Sequence, residues 1–144
     1  VDGKRLRRVT ENLERLGLQA ELHTADASRL DGWYDGRQFD AVLADVPCTA
    51  SGVVKRHPDI KWSRRRNDAT SIALQQQTML DVLWSTVKPS GRMLLATCSI
   101  FPEENHHQMQ AMLSRHADAR LRTERVYLPN DAQDGFYYAL FDKI

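Results

Sequence analysis

Two short apolar runs constrain this chain more than any other feature. FDAVLAD (39–45) and RMLLATC (92–98) are each a near-continuous apolar segment ending in a polar residue. Runs of that length, with β-branched and aliphatic residues and turn signals at their borders, are expected for strands buried on both faces. Between them lies a helix-period stretch, roughly 68–88, with Ile72, Met79, Leu80, Leu83 and Val87 on one face and a KPSG turn after it. A strand, a helix and a second strand in that order imply a parallel pair joined by a crossover.

The flanking segments extend this α/β pattern. Leu6, Val9, Leu13 and Leu16 recur at helical spacing, and Gly17 closes the helix predicted over 3–16. QAELHTAD (19–26) alternates weakly and reads as a short strand ending at Asp26, followed by loop or irregular helix over 27–38. Pro102, Glu103 and Glu104 suit the first turn of a helix that carries Met109, Met112 and Leu113 inward. LRTERVYL (121–128) and GFYYALF (135–141) read as two strands, with an antiparallel pairing in view, Asp134–Gly135 as the preceding turn and the aromatics as core. The expected architecture is a mostly parallel, doubly wound sheet whose ligands sit beyond the carboxyl ends of the strands. Asp26, Asp45 and Cys98 each fall at such an end and are expected to share one rim.

Composition narrows the function classes. A chain of 144 residues with 42% hydrophobic and 27% charged residues is one domain or part of one. No apolar run nears the roughly 18 residues that span a bilayer, so no membrane is expected. Two cysteines, Cys48 and Cys98, form no disulfide framework and lack paired metal-ligand spacing, so the expectation is a cytoplasmic protein with free thiols and no metal. The net charge of +1 is uninformative, but Lys55–Arg66 holds six Lys or Arg against Asp59 alone. That cluster (Lys55, Arg56, Lys61, Arg64, Arg65 and Arg66) suits a polyanion, with His57 and Trp62 available to stack on bases. A solvated surface loop is the plainer reading of it. His106 and His107 read as exposed helix residues.

The thiols carry the sharper question. Cys98 ends an apolar strand and precedes a helix start, whose positive end would favour its thiolate. Cys48 follows Pro47 directly after Asp45. Either alone also reads as an inert buried thiol.

DVPCTASGVVKRHPDIKW (45–62), LLATCSIFPEEN (94–105) and DGFYYALF (134–141), with RLRRVTENLERLGL (5–18) in register, together resemble the Sun-type family of ribosomal RNA cytosine-5 methyltransferases. The resemblance runs over nearly the whole chain. It implies a Rossmann-like methyltransferase fold and S-adenosylmethionine as cofactor, with a cytosine of small-subunit ribosomal RNA as target. It implies Cys98 as the nucleophile toward C6 and Cys48 as the group that assists release of the adduct. Asp45 would contact the cytosine edge near the cofactor methyl, with Pro47 beside it, and Asp26 would hold the adenine end of the cofactor. The family's glycine-rich loop and ribose-binding acid belong before residue 1, with Asp2 just past that acid. Residues 1–144 are therefore expected to be an amino-terminally truncated catalytic domain lacking the first two strands, and not to bind the cofactor measurably alone. Three rivals remain at this point: Cys48 as the attacking thiol, a non-catalytic RNA-binding module, and a cysteine hydrolase, which lacks a convincing His partner.

Overall fold

The computed structural model describes residues 3–65 and 67–144. Helix α1 (Gly3–Leu16) ends as its sequence dictates. Gly17 takes φ +64°, its N–H donates to the Glu14 carbonyl at 3.1 Å, and the Leu18 N–H donates to the Leu13 carbonyl at 2.9 Å. These two bonds close the helix with a left-handed glycine, where a side chain would be strained. No residue of α1 is fully buried.

Four strands form one sheet, β1 (Phe39–Asp45), β2 (Val87–Thr97), β3 (Ala119–Tyr127) and β4 (Phe136–Lys143), in the order β1-β2-β4-β3. The two apolar runs pair in parallel, Val42 with Met93 and Asp45 with Ala96. Between them come a short α2 (Ile60–Ser63) and the long α3 (Asp68–Ser85). The last two strands form the antiparallel pair, and β4 also lies antiparallel to β2, Thr97 opposite Tyr137. The sheet is thus mixed, and only β1 and β2 run parallel among the described residues. The cause is connection length: residues 128–135 suffice for a hairpin but not for a parallel crossover.

The expected strand at 19–26 does not form: that segment joins no ladder among the described residues, and β1 is the edge strand of the sheet. A weakly alternating segment becomes a strand only where a neighbour's backbone pairs with it. KPSG is not a separate turn but an excursion inside β2. Pairing passes from Phe39–Val87 to Ala41–Arg92, so Lys88–Gly91 bulge outward with Ser90 at φ +64°. Val87, expected on the helix face, instead opens β2 and is buried there.

The core lies on one face, where α3 and α4 (His106–Arg115) pack against the sheet. Leu80 and Trp84 from α3 meet Met109 and Met112 from α4, above Met93 and Leu95 of β2 and Tyr137 and Phe141 of β4. Period-2 alternation explains why Met93, Leu95, Tyr137, Ala139 and Phe141 are buried while the residues between them are only partly so. Trp84 carries its indole N–H to the Asp118 carboxylate at 2.9 Å, which satisfies the one polar atom of the largest core side chain. On the far face Leu43 is 69% exposed.

Candidate active site

Strand β1 places the first functional group. Ala44 and Val46 point into the core, so alternation turns Asp45 outward at the carboxyl end. The chain then leaves the sheet at Pro47, whose carbonyl accepts a 2.9 Å bond from the amide of the fully buried Gln76 on α3. Thr49 is held still more firmly. Its N–H donates to Glu104 Oε1 at 2.9 Å and its hydroxyl to Glu104 Oε2 at 2.8 Å, and its carbonyl accepts from Arg64 Nε at 2.9 Å. Cys48 therefore sits between two residues whose backbones are tied down.

The second thiol comes from the end of β2. The Cys98 carbonyl accepts from the Gly52 N–H at 2.9 Å, and the Gly52 carbonyl accepts from the Gly135 N–H at 2.8 Å. This three-segment junction demands glycine, since a Cβ on Gly52 would collide with the Gly135 carbonyl and come within 2.8 Å of the Cys98 carbonyl. Around it, Ser51 and Ser99 hydroxyls lie 3.1 Å apart, Ser51 Oγ accepts from the Ile100 N–H at 3.0 Å, and Asn105 Nδ2 donates to the Ser99 carbonyl at 2.8 Å.

These constraints bring Cys48 Sγ and Cys98 Sγ to 3.3 Å, both half-buried and both free. The hydrogen bond between them governs their ionisation. The Cys98 thiol, donating to a Cys48 thiolate, lowers Cys48 to about 7 against the opposing effect of burial. The same bond pushes Cys98 well above the ordinary thiol range, with burial and the charges of Cys48 and Asp45 adding to it. The pair therefore releases one proton near neutrality and holds the other. The expected helix-end assistance to Cys98 does not operate, because α4 begins only at His106, after a separate 3-10 turn over Pro102–Glu104.

Three clefts surround this loop. The first, about 710 Å³, brings Asp26, Asp45 and Pro47 together with Met79 and Ala27. In it, Asp26 Oδ1 accepts from the Ser28 hydroxyl at 2.7 Å and the Ser28 N–H at 2.9 Å, which hold the carboxyl below its usual range. The second, about 490 Å³, joins Asp45 and Cys98 with Leu43, Arg56, Phe136 and Tyr138. The third, about 480 Å³, lies beyond the cysteine loop.

The basic segment does not act as one unit. Lys55 pairs with Asp131 at 3.3 Å and Arg56 with Asp134 at 2.6 Å. Lys61, Arg64 and Arg65 line the third cleft, and none of them pairs with a carboxylate among the described residues. His57 is exposed and Trp62 is 89% exposed. Arg66 lies outside the described residues. Glu104, Thr49 and Gln76 escaped the sequence reading. Glu104 in particular resembles an acid of a helix's first turn, yet it is fully buried and clamps the cysteine loop. Among the described residues no group of three His, Cys, Asp or Glu is placed to hold a metal ion, and no helix is long and apolar enough to cross a membrane.

The chain overlays a crystal structure of PH0851 with a TM-score of 0.92 at 30% identity, covering 99% of this chain and 35% of that one. It overlays NSun6 from Pyrococcus horikoshii with SFG at 0.86 and 25%, covering 99% and 39%. Among curated sequences it is 48% identical to Ribosomal RNA small subunit methyltransferase B of Erwinia tasmaniensis, over 96% of this chain and 34% of that protein. The chain thus spans about a third of the length of the curated relatives it matches. A parallel pair extended by an antiparallel hairpin, with Asp45 at the carboxyl end of β1, defines the class: a Rossmann-like methyltransferase domain. Residues 1–142 match the family described as 16S rRNA methyltransferase RsmB/F, and the chain belongs to that family.

Proposed function

We propose that this chain carries the thiol chemistry of an S-adenosylmethionine-dependent methyltransferase acting on C5 of a cytosine in small-subunit ribosomal RNA. The observation that carries the reading is the 3.3 Å contact between Cys48 and Cys98 beside Asp45 at the strand ends.

The first cleft fits the cofactor on chemical grounds. Its Asp26 carboxylate suits hydroxyl or amine donors, Met79 and Ala27 offer apolar contact, and Asp45 stands where this cleft meets the target cleft. Bound there, S-adenosylmethionine supplies an electrophilic methyl group. The chain's own residues make C5 able to receive it. Cytosine C5 is a poor nucleophile, and addition of the Cys98 thiolate to C6 pushes the C5=C6 electron pair toward C5 and the ring N3 edge. Asp45, shared by both clefts, is assigned to the N3 edge, where hydrogen bonding stabilises the adduct. Phe136 and Tyr138 furnish the apolar walls for the ring. After transfer, a base takes the C5 proton, the pair re-forms C5=C6, and the C6–S bond breaks to return the thiolate. Cys48, one sulfur contact away, is assigned to this release.

A second reading is favoured by the ionisation of the pair: Cys48, lowered to about 7, is itself the attacking thiolate. The two readings differ by one proton shift across the sulfur–sulfur hydrogen bond. Trapping on 5-fluorocytosine RNA separates them, because fluorine at C5 blocks release. With the protein as encoded, including any flanking sequence, the adduct is expected on Cys98. Cys98→Ala should then form no adduct, and Cys48→Ala should accumulate adduct on ordinary RNA. Mapping to Cys48 overturns the role assignment, and no adduct from either thiol overturns the covalent reading.

A further inference from the structure

The third cleft is unused by the chemistry above. It shares no lining residue with the cofactor or target clefts and contains neither thiol nor Asp45. Its walls come from segments that touch the catalytic loop on either side: Thr49 follows Cys48 directly, and Ile100 and Phe101 follow Cys98 by two and three residues. Ile60 and Ala69 complete an apolar interior, and Ile100 and Phe101 are large hydrophobics left 38% and 40% exposed. Exposed apolar groups that line a concavity, unlike scattered ones, call for an occupant.

The charges say which. Of the described cations in the basic segment, the two beside the acidic loop are paired, whereas Lys61, Arg64 and Arg65 stand on this cleft with no carboxylate ion pair among the described residues, Glu103 being the one acid that also lines it. Arg64 is spent in part on the Thr49 carbonyl, which fixes its guanidinium at the cleft wall. Apolar walls that include the Phe101 ring, under a rim of three cations and the single acid Glu103, match one nucleotide: a base for the interior and a phosphate for Lys61 and Arg65. We infer that this cleft receives the base of a nucleotide adjacent to the target cytosine, extruded with it, so that the RNA is gripped on both sides of the cysteine loop. The inference rests on the proposed function and specifies how its substrate is held. Because Thr49 and Ile100 border the cleft, an occupied cleft also steadies the segments carrying both thiols.

A cycle between protein and RNA tests it. Abasic substitutions are introduced singly at the positions flanking the target cytosine, and kcat/KM is measured for wild type and for Ala69→Trp, which fills the cleft. Loss of a stacked base lowers the wild-type value roughly tenfold to a hundredfold at one flanking position. Ala69→Trp should lose a similar factor on intact RNA and lose little more on that abasic RNA. Phe101→Ala, which opens the cleft instead, should show the same non-additivity, so the result does not hinge on one variant. A melting curve matching wild type establishes that each variant folds. Additive losses, or no sensitive flanking position, overturn the inference, including the case where the cleft serves a protein segment instead. Absence of any trapping on 5-fluorocytosine RNA by wild type removes the proposed function first and the inference with it, a distinguishable outcome.

Discussion

Replacing Glu104 isolates the contribution of the one buried carboxylate that holds the cysteine loop. Its two oxygens accept from the Thr49 N–H and hydroxyl at 2.9 and 2.8 Å, and it is completely inaccessible. Hydrogen bonds to a charged partner contribute about 1.5–3 kcal/mol each, and an orphaned buried donor costs about 1–3 kcal/mol. Relief of the carboxylate's own burial offsets part of this. The Thr49 hydroxyl also keeps Ser99 Oγ at 3.4 Å. Glu104→Ala should therefore lose about 2–4 kcal/mol in urea unfolding. Glu104→Gln retains an acceptor for the Thr49 N–H, and the hydroxyl rotates to accept from the amide, so about 1 kcal/mol is expected. The functional consequence is read on the thiols. With Thr49 released, the 3.3 Å sulfur contact that lowers Cys48 loosens; losing the Glu104 charge, which raises Cys48, acts the other way but is the smaller effect, so the titration should rise from about 7 toward the ordinary 9.0. At pH 7 the thiolate fraction would fall from about a half to about one per cent. Iodoacetamide alkylation of Cys48 against pH, followed by peptide mapping, measures it directly. A Glu104→Ala protein within about 0.5 kcal/mol of wild type refutes the clamp, as does an unchanged alkylation midpoint.

Two further outcomes are expected. Gly52→Ala should cost about 1–3 kcal/mol by overpacking, because its Cβ meets the Gly135 and Cys98 carbonyls; a urea midpoint equal to wild type would show that the junction yields. Removing Lys61 and Arg65 should lower the logarithmic salt slope of RNA binding by roughly 0.7–0.9 each, whereas removing Lys55 and Arg56, neutralised by Asp131 and Asp134, should change it by less. Equal slopes for the two pairs of variants in a filter-binding titration would return the whole segment to a solvated surface.

The legible parts of the fold are those where a local pattern and its tertiary use agree. Both apolar runs became β1 and β2, and Gly17 closed α1, because a short aliphatic run and a left-handed cap leave marks in the residues themselves, although β1, an edge strand with Leu43 exposed, is not buried on both faces as its sequence suggested. The failures lie where the decision belongs to a partner. Residues 19–26 alternate as a strand would but join no neighbouring ladder. Lys88–Gly91 look like a separate turn, yet β1 pairs on both sides of them, so they become a bulge inside β2.

The site divides on the same line. Asp45 and Cys98 were legible because strand ends are legible, and a sheet gathers strand ends at one edge whatever the distance along the chain; Asp26 reaches the cleft it shares with Asp45 from a loop instead. Glu104 was not. A buried acid and a helix-start acid are the same letter in the same place after a proline, and only the return of residue 49 to within hydrogen-bond reach of residue 104 separates them. The basic segment makes the complementary point. Six like charges in twelve residues read as one electrostatic feature, but the fold neutralises Lys55 and Arg56 against the Asn130–Asp134 loop and leaves Lys61, Arg64 and Arg65 on a cleft. Charge in sequence is a sum, whereas recognition depends on which charges the tertiary structure leaves uncompensated, and where. The apolar walls beneath the uncompensated ones turn a general affinity for polyanions into a place for one base.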